Sequence, residues 1–354
     1  MNIFEKIKNK ITFPIILNII VIIISVTTVT YFFIDKNGLV NLLSEGQHFI
    51  IGWFLIAILA HIFNLFIDAL TFKVFLKVRY DNISMWSCIK FSMIGQFFSA
   101  ITPSATGGQP MQIYYMSKLD IEPGFSTSIT IQKLIIYQLV TTTFSIMAII
   151  LRADYFLSSL NNLAMWIFTI VGFSTQIIFT LIVIFIAFNK KVATFFVNVT
   201  TFFIKKIKLI KNKDKIISGI HRQVDTFYSS NKTLMKSPKA VVKVYLLVFV
   251  QVAAILSIPY FIYRSLNFND ARLIDMVCSQ SYVNLSVSMI PLPGASGAAE
   301  IGFGSFFSQY FGTATIKPAI LLWRMITYYG TIFISAPFSR FTKDIKNKAH
   351  NKQN

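Results

Sequence analysis

The sequence predicts an all-α polytopic membrane protein with about six full spans and two re-entrant helical hairpins. Of its residues 55% are hydrophobic and only 13% are charged, whereas soluble domains carry about 25% charged residues. The apolar residues also form long uninterrupted blocks, which are typical of membrane-spanning helices. The net charge is +19, but the basic residues lie at block ends and in one loop, as the positive-inside bias predicts. This placement does not favour DNA as a partner.

Six apolar blocks are long enough to span a bilayer. They lie at residues 11–34, 48–70, 126–151, 163–188, 241–263 and 319–338. The first follows three lysines but is too long for the apolar core of a signal peptide, and it has no small-residue cleavage site. We therefore expect it to remain as a membrane anchor.

Two further apolar segments are interrupted by proline and glycine. The segment at 86–116 breaks at residues 102–110, and the segment at 273–311 breaks at residues 291–297. Irregular backbone at membrane depth is tolerated only where protein or water surrounds it. Each break also exposes the N-terminus of the half-helix that follows, and such an end suits a phosphate. We expect both breaks to face an internal cavity.

The distribution of lysine and arginine predicts the topology. With both termini in the cytoplasm, the cytoplasmic segments hold 27 basic residues and the external segments hold four. This asymmetry requires each interrupted segment to enter and leave the membrane on the same side, as a re-entrant hairpin. Additional spans elsewhere are the alternative.

Residues 1–354 are predicted to form one integral membrane domain that contains an inverted repeat. The first unit, 48–151, consists of a span, a cytoplasmic hairpin and a second span. The second unit, 241–338, consists of a span, an external hairpin and a second span. Paired interrupted segments in two inverted halves indicate a transport site. Between the units lies a basic cytoplasmic loop, 189–240, in which the apolar run 192–204 predicts an interfacial helix on an anionic membrane surface.

Arg324 is the strongest candidate for a substrate-binding residue, because it lies inside the last predicted span. An arginine at the centre of a span costs about 2.5–3.5 kcal/mol and normally faces a cavity or a partner. Glu300, which follows the second break, is its candidate partner; a static pair that braces the fold is the alternative role. The other candidate substrate-binding residues lie in the two breaks: Thr102, Ser104, Gly107, Gly108, Gly294 and Gly297.

Three other polar residues in the apolar blocks are expected to have ordinary roles. Asp68 and Lys133 are placed toward the cytoplasmic ends of their helices, where their polar groups can reach the interface. His61 is expected to be a hydrogen-bonding core residue rather than a proton relay. The sequence contains no H-E-x-x-H, Walker or G-x-S-x-G motif. We therefore predict no catalytic residue, metal site or cofactor.

Three motifs resemble those of a known family. Thr102-Pro103-Ser104, with Gly107-Gly108 and Pro110, resembles the T-P-S-x-x-G-G-x-P pattern of the lysylphosphatidylglycerol synthase transmembrane-region family. Residues 291–300 resemble its P-x-P-G-G-x-G-x-x-E pattern, and residues 322–328 its L-x-R-x-x-T-Y pattern. Ala295 departs from the family, in which a second glycine is usual.

The resemblance implies a lipid flippase-like transporter in a bacterial cytoplasmic membrane. Its substrate would be an anionic or aminoacylated phospholipid, such as lysyl-phosphatidylglycerol, or a lipid-linked precursor. The best-known members join this region to a transferase domain and confer resistance to cationic antimicrobial peptides. A separate soluble aminoacyl-transferase or glycosyltransferase is therefore a possible partner. The alternative is a phosphatidylglycerol lysyltransferase, or its membrane subunit, and tRNA is a partner only in that case.

Overall fold

A computed structural model describes residues 49–152, 163–206, 213–287, 290 and 292–339. The regular secondary structure of these residues is entirely helical, and they contain no strand. The predicted span at 11–34 and the basic tail from Arg340 lie outside the described residues. The helices are α1 (Ile51–Leu76), α2 (Met85–Ile101), α3 (Gly108–Lys118), α4 (Pro123–Leu151), α5 (Leu163–Phe188), α6 (Lys190–Lys206), α7 (Lys213–Met235), α8 (Pro238–Leu256), α9 (Ile258–Ser265), α10 (Leu273–Val287), α11 (Ala298–Arg324) and α12 (Gly330–Ser339).

Five segments of the described chain are long and apolar enough to cross a membrane, judged by length and composition. They are Ile51–Leu76, Pro123–Leu151, Ile170–Phe188, Pro238–Ser265 and Pro293–Ser339. The predicted all-helical, multi-pass membrane class is thus confirmed. The two helices that precede the breaks are shorter, with 17 residues in α2 and 15 in α10, whereas a span needs about 20.

Sequence signals account for the bounds of several helices. Both α4 and α8 begin with proline at the first helical position, where the missing N–H has no helical partner to lose. The hydroxyl of Ser84 caps α2 by accepting a hydrogen bond from the Ser87 amide at 3.1 Å. Within α11, Gly312 adopts a φ of 68° and interrupts the helix. A π-helical turn, Met325–Tyr329, joins α11 to α12.

The two interrupted segments fold as pairs of antiparallel helices. In α2 and α3, Gly95 lies against Gln112 and Gly108 lies against Ser99, so a Cβ atom at either glycine would collide with the opposite side chain. In the second segment, a Cβ at Gly302 of α11 would lie 3.6 Å from the Val283 side chain of α10. Glycine therefore allows α2 and α3 to approach each other closely. In both segments, the break is the turn that connects the two antiparallel helices.

The two hairpins contribute mainly to different hydrophobic cores. One core joins α2 and α3 to the end of α1, to α4 as far as Phe144 and to α8 from Val244 to Leu256, and it includes Val277 of α10. The other joins α10 and α11 to the start of α1, the end of α4 and all of α9. In addition, α2 packs against α12, α10 packs against α4, and the two breaks contact each other. The hairpins thus enter the helix bundle from opposite ends and meet inside it.

Of the four basic residues predicted to be external (Lys36, Arg152, Arg264 and Arg272), the three arginines lie at the same end of the molecule. Arg152, at the end of α4, and Arg272, before α10, both form salt bridges with Asp275. The guanidinium of Arg264 lies 4.7 Å from the centroid of the Trp53 ring. These contacts tie α4 to the start of α10 and tie α9 to the start of α1.

The basic segment 189–240 is not a loop with one short helix, as predicted. Its described residues form α6 and α7 and the start of α8, and α7 packs along α4. The Ser128 hydroxyl donates to the Phe227 carbonyl at 3.0 Å, and the Gln132 amide donates to Asn231 Oδ1 at 2.7 Å. These buried polar contacts on α4 hold α7 in place. The predicted interfacial run lies within α6, whose Phe195 is 63% exposed.

Candidate functional site

The two breaks share a sequence pattern and a local backbone conformation. Residues 103–107 and 293–297 both read Pro-x-Ala-(Ser/Thr)-Gly. In each, the second and third positions have positive φ: 50° and 55° in the first break, 58° and 49° in the second. In each, the hydroxyl of the fourth position donates to the proline carbonyl at 2.9 Å. This short internal repeat is a sequence signal that relates the hairpins to each other, and it was not among the predicted features.

Positive φ has a conformational cost at three of these four positions. Ser104, Ala105 and Ala295 are not glycines, yet all adopt left-handed backbone conformations, each at a cost of about 1–2 kcal/mol. The family's usual glycine at the position of Ala295 would avoid this strain. Strained backbone of this kind persists where the surrounding structure enforces it, and it is concentrated at functional sites.

A cavity of about 380 Å³ lies where the two breaks meet. Its walls come from α2, both breaks, the end of α10, the π-helical turn and the start of α12. The lining residues are Gln96, Ser99, Ala100, Ser104, Ala105, Val287, Ile290, Leu292, Gly294, Ala295, Thr327, Tyr328 and Thr331. Of the candidate substrate-binding residues, Ser104 and Gly294 contribute to these walls.

Beside this cavity, Arg324 and Glu300 form a buried ion pair. Arg324 Nε donates to Glu300 Oε1 at 2.7 Å, and the two side chains are 8% and 10% exposed. The other carboxylate oxygen, Oε2, accepts a hydrogen bond from the Gly297 amide at 2.7 Å. Glu300 therefore occupies both the N-terminus of α11 and one edge of the guanidinium. Arg324 Nη2 is buried and has no hydrogen-bond partner among the described residues.

Tyr328 touches both the cavity and the buried arginine. Its ring centroid lies 5.3 Å from the Arg324 guanidinium carbon, and the ring covers Gly294 so closely that a Cβ atom there would overlap it. Its hydroxyl donates to the Ala100 carbonyl, at the end of α2, at 3.2 Å. Tyr328 lies on a π-helical turn, a feature often found at functional sites. It was not among the predicted site residues, although it ends the third sequence motif.

The remaining candidates in the first break have structural roles. The Thr102 hydroxyl donates to the Phe98 carbonyl at 2.6 Å and accepts from the Gly107 amide at 2.9 Å. Gly107 lies against Thr102, and Gly108 lies against Ser99. These three residues close the turn and allow α2 and α3 to approach. None of the three lines the cavity, although Ser99, against which Gly108 lies, does.

The prediction for Asp68 and Lys133 was wrong, because they form a buried salt bridge instead of reaching the interface. Lys133 Nζ lies 3.0 Å from Asp68 Oδ1, and the two side chains are 12% and 13% exposed. The Ser92 hydroxyl donates to Asp68 Oδ2 at 2.6 Å. Lys133 Nζ also lies 3.2 Å from the centre of the Phe72 ring. Packing of α2 against α1 buries the pair. The sequence pattern of a single helix could not predict this burial, because it depends on a neighbouring helix.

His61 has the core role that was expected of it. Its Nε2 lies 3.0 Å from the hydroxyl of Thr331, which lines the cavity. This contact joins α1 to α12. It places a histidine directly behind the cavity wall.

The fold and this site define a multi-pass helical membrane protein in which two interrupted helices meet at a cavity beside a buried arginine. The sequence matches the family described as "Lysylphosphatidylglycerol synthase TM region" over residues 15–335. The chain belongs to this family.

One relative supports this assignment. A protein from Archaeoglobus fulgidus named "UPF0104 membrane protein" is 26% identical over 270 residues, which cover 72% of this chain and 76% of the relative. No solved structure matches the chain.

Proposed function

We propose that this protein moves a phospholipid between membrane leaflets and that Arg324 binds the lipid phosphate. One observation carries the proposal: the Nη2 group of this buried arginine has no hydrogen-bond partner among the described residues. A buried, unpartnered cationic donor is costly, and it is normally retained for a ligand or pathway. The cavity next to it provides space for a headgroup.

Glu300 can alternate with the lipid phosphate as the partner of Arg324. Its carboxylate contacts Arg324 Nε and the Gly297 amide, which are the kinds of donor that bind phosphate. An arriving phosphate would replace the carboxylate at the guanidinium. When the lipid leaves, Glu300 would return and neutralise the arginine, so that the charge is never left unpaired at membrane depth.

The helix packing supports an inverted, re-entrant arrangement of two units, 48–151 and 241–338. The hairpins lie mainly in different cores, toward opposite ends of the bundle, and meet at the breaks. Each hairpin also packs against the last span of the other unit, since α2 contacts α12 and α10 contacts α4. Inverted repeats of this kind support alternating access by rocking of one unit against the other. We place the termini and the segment 189–240 in the cytoplasm of a bacterial cell.

Translocation in proteoliposomes tests the proposal. Purified protein is reconstituted with fluorescent phosphatidylglycerol, and bleaching of the outer leaflet measures exchange. We expect wild type to move the lipid, Arg324→Ala to reduce the rate to that of protein-free vesicles, and Arg324→Lys to be intermediate, because lysine cannot bind phosphate in a bidentate manner. Arg272→Ala is the matched control, since the Arg272 side chain is 73% exposed.

The same samples test the competing proposal of lysyl transfer. The family description names a synthase, so lipid extracts are examined after lysyl-tRNA is supplied. New lysyl lipid made by the purified chain would favour the enzyme. Absence of translocation by folded wild-type protein would refute the transporter.

A further inference from the structure

Each hairpin forms a seam with the last span of the other unit. In one seam α2 packs against α12, and in the other α10 packs against α4. The first seam ends at Trp86 and Phe338, whose ring centroids lie 5.7 Å apart. The second ends at the salt bridge of Arg152 with Asp275. In the proposed topology, the α2–α12 seam leads from the breaks to the cytoplasm, and the α10–α4 seam leads from the breaks to the outside.

The cavity extends along the α2–α12 seam. Beyond the breaks and the π-helical turn, its described walls include the last two turns of α2 and Thr331 of α12. Gln96 and Thr331 each lie about one helical turn from the breaks, in the direction of the cytoplasmic end. The residues from Gln96 to Ala100 are half-buried, so this wall is accessible. The cavity therefore reaches from the breaks toward the cytoplasm.

The α10–α4 seam is closed. Among the described lining residues, α10 contributes only its last residue, Val287, and α4 contributes none. Residues 275–283 of α10 are all buried, because α10 packs against α4, α5 and α11. A Cβ atom at Gly172 of α5 would lie 2.2 Å from the carbonyl oxygen of Leu285, which shows how closely α5 covers this helix. Packing of α10 thus blocks the route from the cavity to the outside.

A salt bridge between the two units holds the outer end of this closed seam. Arg152 Nη1, at the end of α4, donates to Asp275 Oδ1 of α10. The same carboxylate accepts hydrogen bonds from Nε and Nη2 of Arg272, both at 3.2 Å. The Asp275 side chain is 9% exposed, whereas those of Arg152 and Arg272 are 23% and 73% exposed. One carboxylate is therefore shared by an arginine of each unit.

This sharing allows the seam to open without leaving a buried charge unpaired. When α4 moves away from α10, Asp275 keeps Arg272 as its partner, and Arg152 is already partly exposed. A buried charge that lost its single partner would instead be strongly destabilised. The contact between Arg152 and Asp275 can thus break and re-form as the two units move.

We infer that this structure is the cytoplasm-facing state of the protein, and that Arg152 and Asp275 form a latch that closes its external side. The inference rests on the proposed function, because it assigns a direction to the rocking of the two units. The site at Arg324 would bind a lipid phosphate from the cytoplasmic leaflet, and opening of the latch would release the lipid to the outer leaflet.

Labelling of a single cysteine in the cavity shows which side is open. Ala100→Cys is introduced into a chain in which the buried Cys88 and Cys278 are replaced by alanine. A membrane-impermeant maleimide is then added to right-side-out or to inverted vesicles. We expect the cysteine to react about tenfold faster in inverted vesicles, the factor by which one charge-assisted hydrogen bond favours the closed external side.

Substitutions at the latch should change the accessibility from outside. Arg152→Gln removes the bond between the units, so we expect external labelling to become about tenfold faster. Arg272→Gln is the matched control: it removes bonds to the same carboxylate, but within one unit, and should not speed external labelling. Arg152→Asp combined with Asp275→Arg exchanges the charges and should keep the wild-type rate.

Several results would overturn the latch. They are a lack of labelling from the cytoplasmic side, equal labelling from both sides in wild type, an unchanged external rate in Arg152→Gln, and an equal increase in Arg272→Gln. If Arg152→Gln does not fold, the charge-exchanged variant decides: slow external labelling supports the latch, and fast external labelling overturns it. Labelling requires no lipid movement, so a failure of the proposed function would appear only in the translocation assay.

Discussion

A double-mutant cycle on Arg324 and Glu300 separates a phosphate site from a static brace. Arg324→Met removes the charge with an unbranched side chain that can fill the space. Glu300→Gln also removes a charge, but its amide oxygen can still accept the Gly297 hydrogen bond, which measures 2.7 Å in wild type. Because both partners are about nine-tenths buried, each single variant leaves one charge unpaired. We expect each to lose about 3–5 kcal/mol of unfolding free energy.

The double variant should recover most of this loss. Replacement of a buried ion pair by neutral groups is often close to neutral in stability, so we expect a value within about 2 kcal/mol of wild type. The coupling energy between the two sites would then be several kcal/mol. Denaturant-induced unfolding in detergent micelles measures it, with the fluorescence of Trp323 as a local signal, since its ring lies 5.1 Å from the guanidinium carbon.

Translocation by the double variant gives the decisive result. If Arg324 binds the lipid phosphate, the recovered stability brings no recovery of transport. If the pair only braces the two halves of α11, a stable double variant should move lipid as wild type does. That second outcome would refute the phosphate site. Additive stability losses would instead contradict the ion pair itself.

Three further substitutions test the surroundings of the site. Gly294→Ala should destabilise the protein by more than about 2 kcal/mol in thermal unfolding, because its φ is 58° and the new Cβ would overlap Tyr328; Gly52→Ala, in open space on a helix, should be neutral or stabilising. Tyr328→Phe removes one neutral hydrogen bond between the breaks. We therefore expect a loss of about 1 kcal/mol of unfolding free energy and faster lipid exchange. An unchanged or slower exchange would contradict the idea that this bond holds the breaks together during transport. Asp68→Asn leaves Lys133 buried without its ionic partner, with an expected loss of about 3–5 kcal/mol in denaturant unfolding that a second change, Lys133→Met, should largely reverse.

The sequence predicted those features that depend on composition or on nearby residues. Apolar block length was enough to identify the helices that can span the bilayer. Proline and glycine located both breaks at residues 102–110 and 291–297. Glu300 could be proposed as the partner of Arg324 because it follows the second break, on the neighbouring element.

The features that depend on tertiary packing could not be predicted in this way. Asp68 and Lys133 are 65 residues apart, and only the placement of α2 over α1 shows that both are buried with Ser92. Burial of Tyr328 likewise depends on contact between two breaks that are distant in sequence. The shared pattern at 103–107 and 293–297 was visible in the sequence, but its meaning required the matching backbone angles.

The polar contacts described here indicate where the two proposed units can separate. Among the described residues, two buried ion pairs each lie within one unit: Asp68 with Lys133 in the first, and Glu300 with Arg324 in the second. Either pair can therefore move as part of a rigid body, and no buried charge is stranded. The salt bridge of Arg152 with Asp275 links the end of α4 to α10 and so joins the two units. The breaks are linked by the neutral hydrogen bond of Tyr328, which is worth about 1 kcal/mol. In the proposed rocking motion this hydrogen bond is thus far easier to break than either ion pair, and we expect its loss to open the cavity that lies beside Arg324.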